Sequence, residues 1–359
     1  MFKPIRSEIR QQIIHYLAAM CGLLFACKGY AVCSHYNQQY TVQVPLQIAT
    51  FSVGEDFPIG SNIRVQRVRG FHHVDATCTN SGAYARFSLV GGSLYPGQSN
   101  IYQTGISGLG VRFRNPYENK YYPFNTNWLG TLSADGWLVF TIELVKMGPI
   151  TNGTVNTALF PEVRIDAVDA DNKPSRVAWH SITGSFTLQT PTCTTPNFTW
   201  DLGTTNTTVL KKQGDASPWV DTPVTLTGCS AFLGNNSNGS YTQYNISGFN
   251  IGSTSQSGSL APNKLTMTLR PNTSATDSIN GIVALDSTST ASGFGVQVAS
   301  KQSGTYVAQN LSGSLVVTPA VGDSSGTVSF PLGARIIRTS NTVQGGKIST
   351  SLTYIINYQ

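Results

Sequence analysis

The last fourteen residues, Gly346 to Gln359, have no helical period. Leu352, Tyr354, Ile356 and Tyr358 recur at every second position, so a strand through them turns all four side chains to one face. Chain ends fray unless something holds them. An alternating apolar strand at a terminus therefore predicts a partner lying along it.

The opposite end predicts an export route. Lys3, Arg6 and Arg10 precede an apolar stretch, Ile13 to Ala26, broken by His15. A basic segment followed by a short apolar one reads as a secretory signal peptide over residues 1–31. The stretch is shorter than the roughly 20 residues of a membrane span. Cleavage after Ala26 or after Ala31 both fit. Cutting after Ala31 leaves an even set of cysteines, Cys33, Cys78, Cys193 and Cys229, which suits an oxidising compartment. The leader also inflates the charge. Residues 1–31 hold four of the 23 Lys/Arg and one of the 17 Asp/Glu, so the remainder carries a net +3. That balance gives no reason to propose nucleic acid as a partner. Only 11% of residues are charged, which suits an extracellular β protein whose polar faces are hydroxyls and amides.

Strand signals recur along the chain. Tyr40 to Ile48, Gly110 to Phe113, Trp137 to Val145, Ser185 to Leu188, Lys264 to Arg270, Gly313 to Thr318 and Gly326 to Leu332 alternate. Turn chemistry separates them, as at Asn152-Gly153, Asn238-Gly239 and Asn280-Gly281. The expected fold is all-β, with two β-sandwiches. Thr190-Pro191-Thr192-Cys193-Thr194-Thr195-Pro196 is the natural linker, because proline disfavours both helix and ladder. It sets expected domains at 32–190 and 191–359 and splits the cysteines into one pair per half, Cys33 with Cys78 and Cys193 with Cys229. Each closure is worth about 4 kcal/mol in the chain-entropy picture.

Residues 193–359 carry Cys193, then Trp200-Asp201-Leu202-Gly203, then Thr225-Leu226-Thr227-Gly228-Cys229, and end in a glycine fourteenth from the terminus, alternating apolar residues and a penultimate tyrosine. This set resembles the pilin domain of chaperone–usher pilus subunits. With some 160 residues preceding it, the chain resembles the two-domain tip adhesins of type 1-like fimbriae. Tyr102 to Phe113 is also similar to a strand–turn segment of such adhesins. The resemblance implies an N-terminal receptor-binding, lectin-like domain and a C-terminal immunoglobulin-like pilin domain lacking its final strand. A periplasmic pilus chaperone would fill that gap, and an adjacent pilus subunit would later complete the fold by donor-strand complementation, a known strand-addition mode. Leu352, Tyr354, Ile356 and Tyr358 are then the chaperone-binding residues. The outer-membrane usher and a host glycan or glycoprotein receptor are the other implied partners. The protein would pass through the periplasm and act outside the cell, at the fimbrium tip.

A sugar site needs amides or carboxylates for the hydroxyls and aromatic rings for the apolar face of the pyranose. Two segments supply them: Tyr117 to Trp128, with Tyr121, Tyr122, Asn127 and Trp128, and Asp169-Ala170-Asp171-Asn172. In the type 1 adhesin, sugar ligands come partly from a polar stretch upstream of a late tryptophan, a place that Trp179 takes here. They also include an asparagine two residues after the second cysteine, a place that Asn80 takes. Ser81 stands where that family has an acidic residue, which speaks against mannose. Arg64, Arg67 and Arg69 offer contacts for acidic glycans.

Catalytic and metal readings fare worse. Gly105 to Gly110 precedes a strand, whereas a dinucleotide loop needs a helix. His72 and His73, being adjacent, point to opposite faces of a strand and do not share an ion. Asp166, Asp169 and Asp171 lie in one short stretch, where a glycosidase needs two carboxylates facing across a cleft. We therefore expect a binding protein, with no enzyme activity, metal or cofactor. The alternatives are a fimbrial adaptor or minor structural subunit, and an adhesin for a collagen-type matrix protein.

Overall fold

The computed structural model describes residues 33–35, 40–48, 50–70, 76–78, 82–127, 130–132, 139–247 and 250–359. The expected leader, both adjacent histidines, and the candidate ligands Asn80 and Trp128 lie outside the described residues. Among the described residues the regular structure is almost entirely strand, with one 3₁₀ turn at Thr157–Leu159.

Two large sheets form the first half. A five-stranded sheet runs in the order Phe124–Asn127, Tyr84–Val90, Glu162–Val168, Pro174–Thr183, Tyr40–Pro45. Opposite it, the strands Asn62–Gly70, Phe140–Lys146, Leu109–Asn115 and Tyr102–Gln103 lie side by side. Alternation delivers one apolar face from each sheet to a shared core. Phe87, Val163 and Ile165 come from one sheet, and Ile63, Phe113, Phe140 and Ile142 from the other, all essentially inaccessible to water. The strand Phe140–Lys146 is buried on both faces, because the residues between its apolar ones, Thr141 and Glu143, are covered as well. Lys146 is buried at the strand's end, where its ammonium donates to the carbonyls of Gly54 and Glu55.

A small third sheet, Cys33–His35, Ala76–Cys78 and Gly130–Leu132, carries the first disulfide, Cys33–Cys78. The second disulfide, Cys193–Cys229, ties the start of the second half to the end of the strand Val224–Thr227.

The second half contains a six-stranded sheet that includes Phe294–Gln302 and Leu332–Arg338, and a three-stranded one ordered Ser314–Val317, Leu265–Pro271, Leu352–Tyr358. Its core gathers Leu226, Leu265, Met267, Val298, Val328 and Phe330. One hairpin of this half crosses over. Tyr241–Ser247 pairs in parallel with Asn62–Gly70, and Asn250–Ser257 pairs with Tyr241–Ser247, so the first half's second sheet gains two strands. Arg64 pins the base of the hairpin, donating to the carbonyls of Gly234 at 2.7 Å and Leu233 at 3.1 Å.

The terminal strand Leu352–Tyr358 forms as its alternation predicts, antiparallel to Leu265–Pro271. Leu352, Tyr354, Ile356 and Tyr358 all pack against the second core, yet each stays half-buried. Lys264 and Gln359 exchange both backbone bonds at 2.8 Å, so Tyr358 and its even-numbered neighbours turn their backbone groups to the outer edge. Among the described residues no strand pairs along that edge. At its end the first half makes contact. Asp56 donates its backbone N–H to the Tyr358 carbonyl at 2.9 Å, and its carboxylate accepts the Tyr358 N–H at 2.9 Å. Gly54 lies so close that a Cβ there would overlap the Tyr358 carbonyl.

Candidate functional site

The strand Pro174–Thr183 runs toward Ser185–Gln189 and so toward the linker. The turn that precedes it, residues 169–173, consequently lies at the end of the five-stranded sheet away from the linker. Asp169 is spent inside this turn. It is buried, and its Oδ1 accepts the Lys173 N–H at 2.7 Å. Asn172 takes a positive φ of 63°, a conformation that asparagine tolerates better than most residues. Its Oδ1 accepts the Tyr84 hydroxyl at 2.6 Å and Arg86 Nη2 at 2.9 Å. Asn127 lies directly opposite Tyr84 in the ladder. Asn127, Tyr84, Arg86 and Asn172 thus meet at one end of one sheet, with Asp171 exposed beside them.

The aromatic residues expected to join them do not. Tyr122 is fully buried, its ring centre 5.7 Å from that of Phe87 and 5.4 Å from that of Phe124. Burial pushes its hydroxyl well above the ordinary phenol range, an effect that nearby Asn115 offsets only in part. It is a core residue and unavailable to a ligand. Tyr121 pairs opposite Arg114 in the other sheet, and its ring lies 4.6 Å from the Arg112 guanidinium. The segment Lys120 to Asn127 crosses from one sheet to the other, and that crossing separates residues adjacent in sequence. Trp179 is held mid-strand by Glu162, whose Oε2 accepts its indole N–H at 2.6 Å. Asp166 is buried and bonded to Arg164 at 2.8 Å. With Asp169 also committed, the acidic stretch presents Asp171 alone as an exposed carboxylate.

A second surface lies on the outer face of the other sheet. Glu143, almost wholly buried, accepts Arg112 Nε at 2.8 Å and Arg114 Nε at 2.9 Å. Arg67 stands nearby, its guanidinium 5.4 Å from the ring of Tyr117 and 5.7 Å from the ring of Tyr241. Tyr241 is held below the ordinary phenol range, first by a hydrogen bond with Ser257 and then by Arg67. Between these groups opens a cleft of about 260 Å³, lined among others by Arg67, Arg114, Glu143, Ser240 and Tyr241. The strand pattern announces Arg67. The part played by Arg114 is legible only as a cation alternating with Arg112 in Val111-Arg112-Phe113-Arg114, and nothing in sequence announces Tyr241, which arrives from the other half.

Residues 44–167 match the family described as MrkD-like receptor binding domain. Over 346 residues the chain is 23% identical to a fimbria adhesin protein of Klebsiella pneumoniae, covering 92% of this chain and 94% of that protein. Along nearly its whole length the chain is thus similar to a fimbria adhesin. Among solved structures it is similar to the CupB6 tip adhesin from Pseudomonas aeruginosa, at 13% identity, covering 91% of this chain and 94% of that one with a TM-score of 0.36. It is also similar to the receptor binding domain of the plasmid-borne adhesin MrkD1P of Klebsiella pneumoniae, at 20% identity, covering 46% and 98% with a TM-score of 0.30. In this adhesin homologue the matched residues 44–167 include both surfaces described above, apart from Asp171, Asn172 and the second-half residues Ser240 and Tyr241.

Proposed function

We propose that residues 32–190 are the receptor-binding domain of a fimbrial tip adhesin, that they bind glycans, and that residues 191–359 are an incomplete pilin domain that joins the pilus by donor-strand complementation. The observation that carries the assembly reading is the terminal strand, with its four inward residues half-buried and its outer edge, among the described residues, unpaired along most of its length. Such an edge is a template for another strand. A periplasmic chaperone occupies it first and an adjacent pilus subunit later, with the outer-membrane usher between the two events. The protein then stands at the fimbrium tip outside the cell. It is a binding module and carries out no reaction.

Glycan recognition is assigned to the remote end of the five-stranded sheet. There Tyr84, Arg86, Asn127, Asp171 and Asn172 offer hydroxyl, guanidinium, amide and carboxylate groups to sugar hydroxyls. Loops at the far end of a rigid sandwich are where recognition residues are commonly presented. A glycan array on the secreted chain and on its Asp171→Ala and Asn127→Ala variants tests the assignment. The expected result is a defined glycan whose binding both variants weaken by about tenfold or more, the loss of a charge-assisted or well-placed hydrogen bond. Variants that bind like the parent would remove the site from this end, and an array with no bound glycan would remove the lectin reading.

A further inference from the structure

We propose that the cleft between Arg67, Arg114 and Tyr241 is a second binding site, one that takes the anionic group of a sulfated or carboxylated glycan. It is built on a different sheet from the Tyr84–Asn172 cluster and does not depend on that cluster binding anything. The charges do not balance here. One buried carboxylate, Glu143, serves two guanidiniums, those of Arg112 and Arg114, and Arg67 takes part in no ion pair among the described residues. Arg67 Nε is shielded from water and meets no acceptor. A donor left in that state is costly unless something accepts from it. A sulfate or carboxylate entering the cleft supplies a pair of acceptor oxygens at the spacing that arginine's planar fork matches.

The remaining walls select a sugar as the carrier of that anion. Tyr241, half-buried, lines the cleft, and Tyr117, 57% exposed, lies on Arg67 next to it, so an apolar ring face has somewhere to rest. Ser61, Asn62, Thr141, Ser237 and Ser240 line the rest and suit hydroxyls. At about 260 Å³ the cleft is smaller than the roughly 300–1,000 Å³ of sites that enclose a whole small ligand, so it suits one charged residue of a longer chain. Both halves of the molecule build it, since Arg67 and Arg114 come from the first and Ser240 and Tyr241 from the second.

The test uses the full chain in complex with a pilus chaperone. Its binding is measured to a heparin-derived hexasaccharide, a hyaluronan hexasaccharide, a neutral cello-oligosaccharide and a poly-glutamate peptide. The expected result is binding of one or both acidic glycans, with the stronger of the two identifying sulfate or carboxylate as the group recognised. Arg67→Gln is expected to weaken it by about tenfold, the loss of one charge-assisted contact. Arg69→Gln removes the same charge two positions along the strand, outside the cleft, and is expected to change binding by less than about twofold through screened long-range attraction alone. Tyr241→Glu places a carboxylate beside Arg67 and is expected to block binding while leaving no charge unpaired, so it serves if Arg67→Gln disturbs folding. Asn172→Ala is expected to change nothing here. Equal losses in Arg67→Gln and Arg69→Gln, equal binding of poly-glutamate, or no acidic glycan bound at all would each overturn the proposal.

Discussion

The two halves finish their cores in different ways. In the first, Phe51, Phe87, Phe113, Tyr122 and Phe140 are sealed to the point of zero exposure, and the sheet edge at Asn62–Gly70 is covered by a borrowed hairpin. In the second, Leu352, Tyr354, Ile356 and Tyr358 face the core but remain half-exposed on a strand whose outer edge, among the described residues, is met by no other strand. Apolar burial is worth about 25 cal/mol per Å². An unpaired edge adds backbone donors and acceptors that prefer a partner. The contrast teaches that completeness is distributed unevenly along this chain: the first half is nearly closed, and the second keeps an open strand edge beside its core.

The largest expected effect follows from separating the halves. Residues 191–359 expressed alone are expected to aggregate or remain unfolded, because both the terminal edge and the hairpin Tyr241–Ser257 lose their neighbours. A donor peptide with alternating apolar residues is expected to restore a cooperative thermal transition. Circular dichroism with and without peptide checks this, and a stable monomer lacking any donor would erase the contrast. The next effect is local. Replacing Ile356 and Tyr358 by serine removes two of the four inward side chains. Full burial of such a side chain is worth about 1.5–3 kcal/mol, so chaperone co-purification is expected to fall by at least about tenfold while glycan binding by the first half persists. Equal losses of both functions would mean that the strand supports the whole fold.

Acid separates the halves by another route. All five histidines precede residue 181, and His180 is buried in the first core with its ring centre 5.2 Å from that of Phe140. Burial pulls its pKa from 6.5 down to about 4, and the Val163 backbone offsets this only in part. Below about 6.5 the unfolded chain binds a proton that the folded one refuses. Stability therefore falls as pH drops from 6.5 toward 4 and this contribution levels off below, with a full penalty of about 3 kcal/mol. Urea melts of the chaperone complex across this range, compared with His180→Phe, isolate the contribution. The variant is expected to show a flatter profile for the first half's transition and an unchanged one for the second. Identical slopes would show that His180 takes no part.

Most strands were legible before the structure was known, because period two reports directly on which face is buried. Tyr40, Gly110, Phe140, Leu265 and Leu352 all fall in both expected and observed strands. Cysteine parity likewise anticipated both disulfides. The sites were harder to read. Composition nominated Tyr121 and Tyr122 as a pair, and pleating sent them to opposite destinations: one against Arg112, the other into the core. Asp169 has the right chemistry for a sugar ligand and is consumed by its own turn. The Arg67–Tyr241 juxtaposition is beyond any local pattern, since it depends on a hairpin crossing between sequence halves 174 positions apart.

The smallest effect tests where the two kinds of completeness meet. Asp56 already satisfies the outward N–H and C=O of Tyr358, so the first half occupies the last position of the edge that a donor strand needs. A donor reaching only to Ile356 pairs without disturbing it. A longer donor reaching Tyr358 must displace it. Asp56→Ala removes the side-chain bond and leaves the backbone one, and a single such bond is worth about 0.5–1.5 kcal/mol net. The variant is expected to bind the longer peptide about twofold to tenfold more tightly and the shorter peptide unchanged. Competition between two fluorescent donor peptides of those lengths reads the difference. Should both peptides gain equally, Asp56 acts on the stability of the half as a whole. Should neither gain, the first half sets no limit on how far a partner strand runs, and the two cores are completed independently.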